Sequence, residues 1–495
     1  MKAAELIRYP DRFFIGGQWV QPASDAQISV VSPSTEEEFV RVAEAQVADV
    51  ERAVAAARAA FDDGPWPRLT HAERGAYLQA FGDEVAARVG TLSAIWTNEI
   101  GVASSWSQLL TAPTAETYRF YGELAGRFDF VEEHRTSSGE GAGLLVREPV
   151  GVVGAIVPWN GALGLIAYKI APALLAGCTV IVKSSPESPG AGLVMAEIAE
   201  KIGLPPGVLN VITAERAVSE ALVRHPDVDK ITFTGSSAAG KRIAEICGSR
   251  IARCTLELGG KSAAVVLDDC DLDRVAAELS MTARLMSGQV CAALTRVIVT
   301  RGRHDALVEA LRASFGAIAV GDPFEPTTEM GPLAMERQRE RVENYIAQGR
   351  KEGAVVAVGG GRPRHLDRGF YVEPTVFANV ENNMTIAREE IFGPVISVIP
   401  VDDEAQAVAV ANDSPFGLNA SVFTANAGRA YAVARQLRSG TVGHNGFKID
   451  FGIAFGGFKQ SGIGREGGVE GLLPFLESKT ILLDAMPQGL FGGAA

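Results

Sequence analysis

The feature that most constrains this fold is an alternation of apolar strand-like runs with helical stretches between Gly151 and Gly260. The strand-like runs are VVGAIV, TVIVK, LNVIT, KITFT and TLEL. Continuous apolar strands are expected where helices cover both faces of a parallel sheet. The alternation therefore predicts an α/β fold with a doubly wound sheet and right-handed crossovers. Ligands bind such sheets beyond the carboxyl ends of the strands, which here carry PWN, KSSPE, TGSS and ELGG.

A second alternating region runs from Ser262 to about Asn445 and predicts a further α/β unit, with the ELGGKS stretch as the hinge. About two or three units are expected of a chain of 495 residues. The segment from Arg127 to Val150 lacks helical periodicity and is expected to form a β-excursion. Together with the C-terminal FLESKTILLDA it would provide an edge for self-association.

Composition excludes several classes of protein. A net charge of −13 argues against binding nucleic acid or an anionic membrane surface. The five cysteines form no C-x-x-C pair, so a disulfide framework and a zinc site are not expected, and no other metal site is predicted. The N-terminal residues do not resemble a signal peptide, and Pro158 and Lys169 interrupt the most apolar region. These features favour a reducing cytoplasm.

Cys291 lies in SGQVCAA, between an apolar helical run and the strand-like TRVIVTR. A side chain at such a junction can point into a cleft. A free cysteine is more often a small buried hydrophobe, and it becomes a nucleophile only in a special electrostatic setting. The sequence around Cys291 leaves both interpretations open.

Three polar residues stand in otherwise apolar surroundings. Asn160 follows a strand and is either a turn residue or a donor to an oxyanion. Lys169, in a helix, either reaches the surface or supplies positive charge that favours a thiolate. Glu257 lies inside a buried strand and is either a structural hydrogen-bonding group or a general base with a raised pKa.

Two further motifs are typical of a nucleotide-binding site. TGSSAAG is a glycine turn before a helix, where Ser236 is either a helix N-cap or part of a phosphate-binding turn. AREEIFGPV places Glu389 and Glu390 in a helical context, followed by Phe392. A carboxylate there can bind ribose hydroxyls and a phenylalanine can pack on a flat ring, although solvated helix charges and a core aromatic would give the same pattern.

Taken together, PWN, KxxPE-P, FTGS, LELGGKS, GQxC, EEIFGPV and FGGFKQSGIGRE resemble the aldehyde dehydrogenase superfamily in order and spacing, over nearly the whole chain. The resemblance implies an NAD(P)-binding α/β domain, a catalytic α/β domain and a small β oligomerisation flap, in a homodimer or homotetramer. The predicted division is residues 1–126 and 150–259 for NAD(P) binding and 260–445 for catalysis. Segments 127–149 and 470–495 would serve oligomerisation, and 446–469 the active-site loops.

The resemblance also implies roles for single residues. Cys291 would attack an aldehyde, and Asn160 with the Cys291 backbone N–H would hold the oxyanion. Hydride transfer to NAD(P)+ would leave a thioester, which water activated by Glu257 would hydrolyse to the carboxylic acid. Lys169 matches a family lysine that would tune protonation near the site, and Glu466 matches a family glutamate that would assist proton movement. The resemblance implies a cofactor site that comprises Ile156, Trp159, Lys183, Glu187, Ser236, Leu258, Gly259, Glu390 and Phe392.

The chain departs from the family pattern at several points. Pro186 stands where a ribose-binding glutamate is usual, with Glu187 one residue later. Glu187 as its substitute favours NAD, and NADP becomes possible if Glu187 points away. Gly161 and Ala454 are smaller than the usual residues, and they predict a roomier tunnel for a bulky apolar or aromatic aldehyde.

Three alternatives follow from the same residues. In a CoA-acylating dehydrogenase CoA resolves the thioester, against which Glu257 argues because water activation requires such a base. A papain-like hydrolase would pair Cys291 with His444 and Asn445, but it leaves the nucleotide-type region without a purpose. A non-catalytic nucleotide-binding protein is possible on any fold, although intact Cys291, Glu257 and Asn160 argue against it.

Overall fold

The computed structural model describes residues 3–487, so the ends of the predicted segments 1–126 and 470–495 lie outside the described residues. The strands are β1 Phe13–Ile15, β2 Gln18–Val20, β3 Gln27–Val31, β4 Glu38–Ala43, β5 Val131–His134, β6 Ala142–Pro149, β7 Val152–Ile156, β8 Thr179–Ser184, β9 Leu209–Thr213, β10 Lys230–Thr234, β11 Arg253–Glu257, β12 Ser262–Val266, β13 Leu294–Thr300, β14 Val355–Val358, β15 Thr375–Ala378, β16 Val395–Val401, β17 Asn419–Phe423, β18 Thr441–His444, β19 Gly462–Ile463 and β20 Leu476–Leu483.

The α-helices are α1 Ala3–Leu6, α2 Val47–Asp62, α3 His71–Ala87, α4 Val89–Ile100, α5 Ser104–Thr111, α6 Thr114–Leu124, α7 Ala162–Ala176, α8 Gly190–Lys201, α9 Arg216–Arg224, α10 Ser237–Ser249, α11 Leu272–Arg284, α12 Arg301–Gly316, α13 Glu336–Lys351, α14 Thr385–Arg388, α15 Glu404–Asn412, α16 Ala427–Ala434 and α17 Gly468–Leu472.

The first sheet has the strand order β19-β11-β10-β7-β8-β9-β1-β2. Strands β7 to β11 are parallel and are the runs predicted from the sequence, and α7 to α10 connect them in turn. The chain proceeds outward from β7 to β9 and then returns to β10 on the other side of β7. The strand order therefore reverses between β7 and β10, which is where a doubly wound sheet opens a ligand crevice.

The second sheet has the order β14-β15-β16-β13-β12-β17-β18 and is parallel apart from β14. The link between the two sheets is short, since β11 ends at Glu257 and β12 begins at Ser262. The predicted hinge ELGGKS thus joins a strand of one sheet to a strand of the other.

The segment 127–149 and the C-terminal strand do pair with each other, in a three-stranded sheet of order β20-β6-β5. Strand β20 lies at the edge of this sheet, and Leu482 on it is 70% exposed. Within residues 3–487 no helix combines the length and the apolar character that crossing a membrane requires.

Candidate active site

A cleft of about 770 Å³ opens at the switch point between β7 and β10. Its walls come from the carboxyl ends of β7, β8 and β10 and from the helices α9 and α10 that follow β9 and β10. The predicted cofactor residues that line this cleft are Ile156, Trp159, Lys183, Glu187 and Ser236. The structure therefore gathers these five residues in one crevice, where the topology of the sheet expects a ligand.

Ser236 is the N-cap of α10, because its hydroxyl accepts a hydrogen bond from the Ala239 N–H at 3.3 Å. Ala238 and Ala239, in the first turn of that helix, also line the cleft. The two interpretations of this turn are therefore compatible, since a capped helix start also presents a positive dipole end to the cleft.

Lys183 and Glu187 lie together in the cleft wall. Burial lowers the pKa of Lys183 to about 8, against the opposing effect of the carboxylates Glu187 and Glu215. Burial alone would raise the pKa of Glu187, but hydrogen bonds from Ser185 and Arg337 outweigh it and hold that pKa below its ordinary value. Glu187 is therefore a carboxylate at neutral pH.

The other predicted cofactor residues connect this cleft to Cys291. The Glu390 carboxylate lies against Gly259, where a Cβ would collide with it, and it accepts a hydrogen bond from the Gly260 N–H at 3.1 Å. Burial raises the pKa of Glu390 to about 7. Leu258 packs on Gly240 of α10, where a Cβ would lie 2.5 Å from Leu258 Cδ2.

The predicted helical context of Glu389 and Glu390 is wrong. Helix α14 ends at Arg388, and Glu389 is already extended, with φ −108° and ψ 148°. Phe392 has a φ of 63°, a left-handed conformation that no helix continues through, and its ring meets Trp159 edge-on at 5.4 Å between centroids. The turn thereby brings Glu390 into the site.

Cys291 lies between the turn that ends α11 and strand β13, as predicted. Met286, Ser287 and Gly288 before it have left-handed φ values of 49°, 54° and 73°. The Ser287 hydroxyl, which donates to the Gly331 carbonyl at 2.8 Å, holds this turn in place. Burial, with the nearby carboxylates Glu390 and Glu257, raises the pKa of the thiol to about 12.

Asn160 is brought to the same loop from the end of β7. Its Nδ2 donates to the Gln289 carbonyl at 3.0 Å, and its own carbonyl accepts from Trp96 Nε1 at 2.8 Å. Gln289 in turn is fixed by the Ala334 N–H, which donates to Oε1 at 3.0 Å. These bonds place the amide of Asn160 beside the segment that carries Cys291.

Glu257 ends β11 and is 2% exposed. Among the described residues neither of its carboxyl oxygens has a hydrogen-bond partner. Burial and the charge of Glu466 raise its pKa well above the ordinary value, against the opposing charges of Lys169 and Arg465. A structural glutamate would be satisfied by neighbours, so the geometry favours a group available for proton transfer.

Lys169 does not reach the surface. Its ammonium group is fully buried, pairs with Glu466 and donates to Thr234 Oγ1 at 2.7 Å. Thr234 lies opposite Glu257 in the register of β10 and β11. Lysine, threonine and the two glutamates therefore form one buried polar cluster behind the thiol.

The papain-like arrangement finds no support in the geometry. Within residues 3–487 the hydrogen bonds of His444 are to the Thr424 carbonyl and to Asn445, both at 3.0 Å. Imidazole and thiol are therefore not paired.

A model of the aldehyde dehydrogenase family matches residues 19–481. The chain belongs to the aldehyde dehydrogenase family. It is 43% identical over 472 residues to geranial dehydrogenase from Castellaniella defragrans, over 95% of this chain and 98% of the relative. Among solved structures, it matches Mycobacterium tuberculosis aldehyde dehydrogenase complexed with NAD+ with a TM-score of 0.93 and 43% identity, over 97% and 98% of the two chains. The Cys-to-Ala variant of aldehyde dehydrogenase C from Pseudomonas syringae, complexed with NAD+ and octanal, matches with a TM-score of 0.92 and 39% identity, over 96% of each chain. The predicted family, fold class and enzyme class are confirmed.

Aromatic side chains surround the thiol of this aldehyde dehydrogenase. Cys291 belongs to an apolar cluster with Phe447, Phe451 and Phe455. Phe451 stacks on Tyr168 at 3.7 Å between centroids and lies 4.6 Å from the ring of Phe455. The side chains that pack beside Cys291 are therefore largely aromatic and apolar.

Sequence reasoning missed four residues that shape this dehydrogenase site. Thr234 and Gln289 stood inside quoted motifs, FTGS and GQxC, but no role was predicted for them. Gly456 lies against Glu257, since a Cβ there would come within 2.6 Å of Oε1. Arg337 contacts Glu187 from α13, and no motif around it signals a cofactor residue.

Proposed function

We propose that this aldehyde dehydrogenase oxidises bulky apolar aldehydes to carboxylic acids with NAD+, through a thioester on Cys291 that water hydrolyses. The observation that carries the proposal is the buried carboxyl group of Glu257 close to the thiol, which has no hydrogen-bond partner among residues 3–487. Asn160 is held beside the same thiol by its bond to the Gln289 carbonyl.

The cleft fits a dinucleotide. A volume of about 770 Å³ suits a large cofactor, and its lining combines a helix start, a buried lysine and a carboxylate. Lys183 and Glu187 would hold the adenosine ribose, Ser236 and the start of α10 the pyrophosphate, and Glu390 the nicotinamide ribose. NAD+ supplies the acceptor for the hydride that leaves the substrate carbon. Glu187, being ionised, disfavours the 2′-phosphate of NADP+, and two solved relatives were complexed with NAD+.

Bond formation begins when Cys291 sulfur attacks the carbonyl carbon of the aldehyde. The thiol must lose its proton first, and a pKa of about 12 means that a base has to accept it. Two carboxyl groups with raised pKa values lie near the thiol, Glu390 and Glu257. We assign the proton to Glu257, because within residues 3–487 its oxygens have no hydrogen-bond partner, whereas Glu390 already accepts from the Gly260 N–H. The carbonyl oxygen becomes an oxyanion, which Asn160 Nδ2 and the Cys291 N–H would stabilise.

Loss of the hydride converts the adduct to a thioester. Before hydrolysis, the proton that Glu257 took from the thiol leaves through the paired Lys169 and Glu466, so that Glu257 is again a carboxylate. Glu257 then takes a proton from water, the water oxygen bonds to the acyl carbon, and the carbon–sulfur bond breaks. The acid is released, and the departing thiolate recovers a proton from Glu257. The overall reaction consumes aldehyde, NAD+ and water and yields acid, NADH and one proton. Lys169 and Glu466, paired beside Glu257, provide a buried route by which that proton leaves.

The substrate class is argued from the wall around the thiol. Phe451 and Phe455 share an apolar cluster with Cys291, and Tyr168 stacks on Phe451. Gly161 at the start of α7 adds little bulk. Such a surface binds a long or flat apolar group through contact area. One relative is named geranial dehydrogenase and one neighbour was solved with octanal, which supports an apolar aldehyde here.

The three-stranded sheet supports self-association into a homodimer or homotetramer. Within residues 3–487 its edge strand β20 pairs on one side only, and it exposes Leu482. Acidic composition and free cysteines favour a cytoplasmic location for the assembly.

The test is NADH formation by the purified protein with aldehydes from propanal to octanal, geranial and benzaldehyde, with NAD+ and NADP+ in parallel. Larger kcat/KM for octanal or geranial than for propanal, abolished by Cys291→Ala, is the expected result. Preference for propanal would contradict the substrate class. Turnover that requires CoA would contradict hydrolysis and favour the acylating alternative.

A further inference from the structure

Glu187 and Arg337 form an ion pair across two parts of the chain. Glu187 follows β8 of the first sheet, and Arg337 belongs to α13, which is attached to the second. The Glu187 side chain is 20% exposed, whereas that of Arg337 is 67% exposed. The carboxylate is therefore fixed by its surroundings, and also by the Ser185 hydroxyl, while the guanidinium reaches it from a solvent-accessible position.

This pair stands in the wall between two cavities. The cofactor cleft of about 770 Å³ and a neighbouring cavity of about 370 Å³ share Pro186, Glu187, Glu215 and Arg337 in their linings. A group that projects from the adenosine ribose towards Glu187 would therefore meet the ion pair, with additional space behind it.

Charges of both signs meet at this point, and Arg216 also lines the cofactor cleft. Lys183 and Arg337 bring two positive charges and Glu187 and Glu215 two negative ones. A second phosphate needs an excess of positive charge and planar N–H donors, and arginine meets that need best. In this structure the guanidinium of Arg337 is occupied by Glu187.

We propose that Arg337 is a masked binding residue for a 2′-phosphate, and that its ion pair with Glu187 sets the preference of this enzyme for NAD+ over NADP+. Glu187 acts in two ways, because it repels the phosphate and also occupies the arginine that would bind it. The inference rests on the proposed placement of the adenosine ribose beside Lys183 and Glu187.

The experiment measures the dissociation constants of NADH and NADPH by their fluorescence, with the wild type, Glu187→Gln, Arg337→Gln and the double variant. Glu187→Gln should lower the ratio of the NADPH dissociation constant to the NADH dissociation constant by roughly tenfold or more. This factor corresponds to one charge-assisted hydrogen bond that Arg337 becomes free to make with the phosphate. Arg337→Gln alone should raise that ratio, because a positive charge near the 2′ position is lost. The double variant should lose most of the gain in NADPH binding that Glu187→Gln gives.

Arg350→Gln is the matched control, since Arg350 lies on the same helix and donates to the Gly360 carbonyl. It should leave both dissociation constants unchanged. If the double variant binds NADPH as tightly as Glu187→Gln, another cation such as Arg216 binds the phosphate and the proposal is wrong. If Arg337→Gln lowers the ratio, Arg337 acts only by holding Glu187 against the ribose, which also overturns it.

The measurements distinguish failure of the proposed function from failure of the inference about Arg337. If the wild type binds neither NADH nor NADPH, both the proposed function and this inference are wrong. If NADH binds and the aldehyde is oxidised, but the double variant does not differ from Glu187→Gln, only the inference fails.

Discussion

Replacing Glu257 by glutamine separates the two halves of the proposed reaction. The substitution keeps the size of the side chain, so Gly456 still fits against it, but it removes the group that accepts a proton from water. Thiohemiacetal formation and hydride transfer should still occur slowly, whereas hydrolysis of the thioester should stall. The variant should therefore release about one NADH per active site and then stop, as expected of an acyl-enzyme that accumulates.

The size of the effect follows from the role of the residue. A positioned general base contributes roughly 10²- to 10⁴-fold, so the steady-state rate should fall by that factor while the first turnover falls less. Rapid-mixing absorbance of NADH at enzyme concentrations near the micromolar range measures both phases. The wild type should show no such imbalance between the first turnover and the steady state.

The same substitution should stabilise the fold, and the sign follows from the pKa. The pKa of Glu257 is raised well above 4.5 in the folded chain. Below pH 4.5 the carboxyl group is protonated in both the folded and the unfolded state, so folding buries no charge at this position. As the pH rises through the raised value, the folded state must bury a charge that the unfolded chain solvates, so stability is lost. The melting temperature of Glu257→Gln should therefore exceed that of the wild type at pH 8 and approach it at pH 5.

Three results would refute this reasoning. A variant with unchanged steady-state turnover would show that Glu257 is not the base. A variant that loses the first turnover as completely as the steady state would show that Glu257 acts only on the thiol, and not on the water that hydrolyses the thioester. A melting temperature below that of the wild type at pH 8 would show that the carboxylate is stabilised by partners.

Three further predictions test the rest of the cluster. Lys169→Met leaves Glu466 buried without its partner and should lower the free energy of unfolding by about 3–5 kcal/mol, measured by urea denaturation. An unchanged urea midpoint would contradict the buried pair. In the cofactor-free protein, the rate of Cys291 alkylation by iodoacetamide should rise about tenfold per pH unit between pH 7 and 10, because the pKa of the thiol is about 12. Mass spectrometry of the peptide that contains Cys291 measures this rate. A rate that is already constant near pH 7 would mean that the thiol is ionised there. Gly456→Ala places a Cβ 2.6 Å from Glu257 Oε1 and should lower kcat more than it weakens NADH binding; equal loss of both would indicate general misfolding.

The five parallel strands of the first sheet, β7 to β11, could be predicted from the sequence. Its parallel strands are buried on both faces and therefore read as continuous apolar runs, from TVIVK to KITFT. The edge strands could not be predicted in this way. Strand β19, Gly462–Ile463, is only a short pairing with β11 inside a glycine-rich loop, and it has no periodic pattern.

The chemistry of the site was more predictable than its contacts. Cys291, Glu257 and Asn160 could be singled out because each is polar in an apolar run or follows one. The helical interpretation of Glu390 was wrong, because α14 ends at Arg388, Glu389 is already extended, and the left-handed Phe392 prevents a helix from resuming. The pairing of Arg337 with Glu187 joins positions 150 residues apart, and no local pattern in the sequence indicates such a contact.

The most direct test of the account is the chemical state of Cys291 during turnover. Glu257→Gln protein is mixed with octanal and NAD+, quenched in acid and digested, and the peptide that contains Cys291 is weighed by mass spectrometry. The account predicts an octanoyl thioester on Cys291, absent when NAD+ is omitted. An unmodified Cys291 peptide in a sample that has produced NADH would contradict the covalent mechanism.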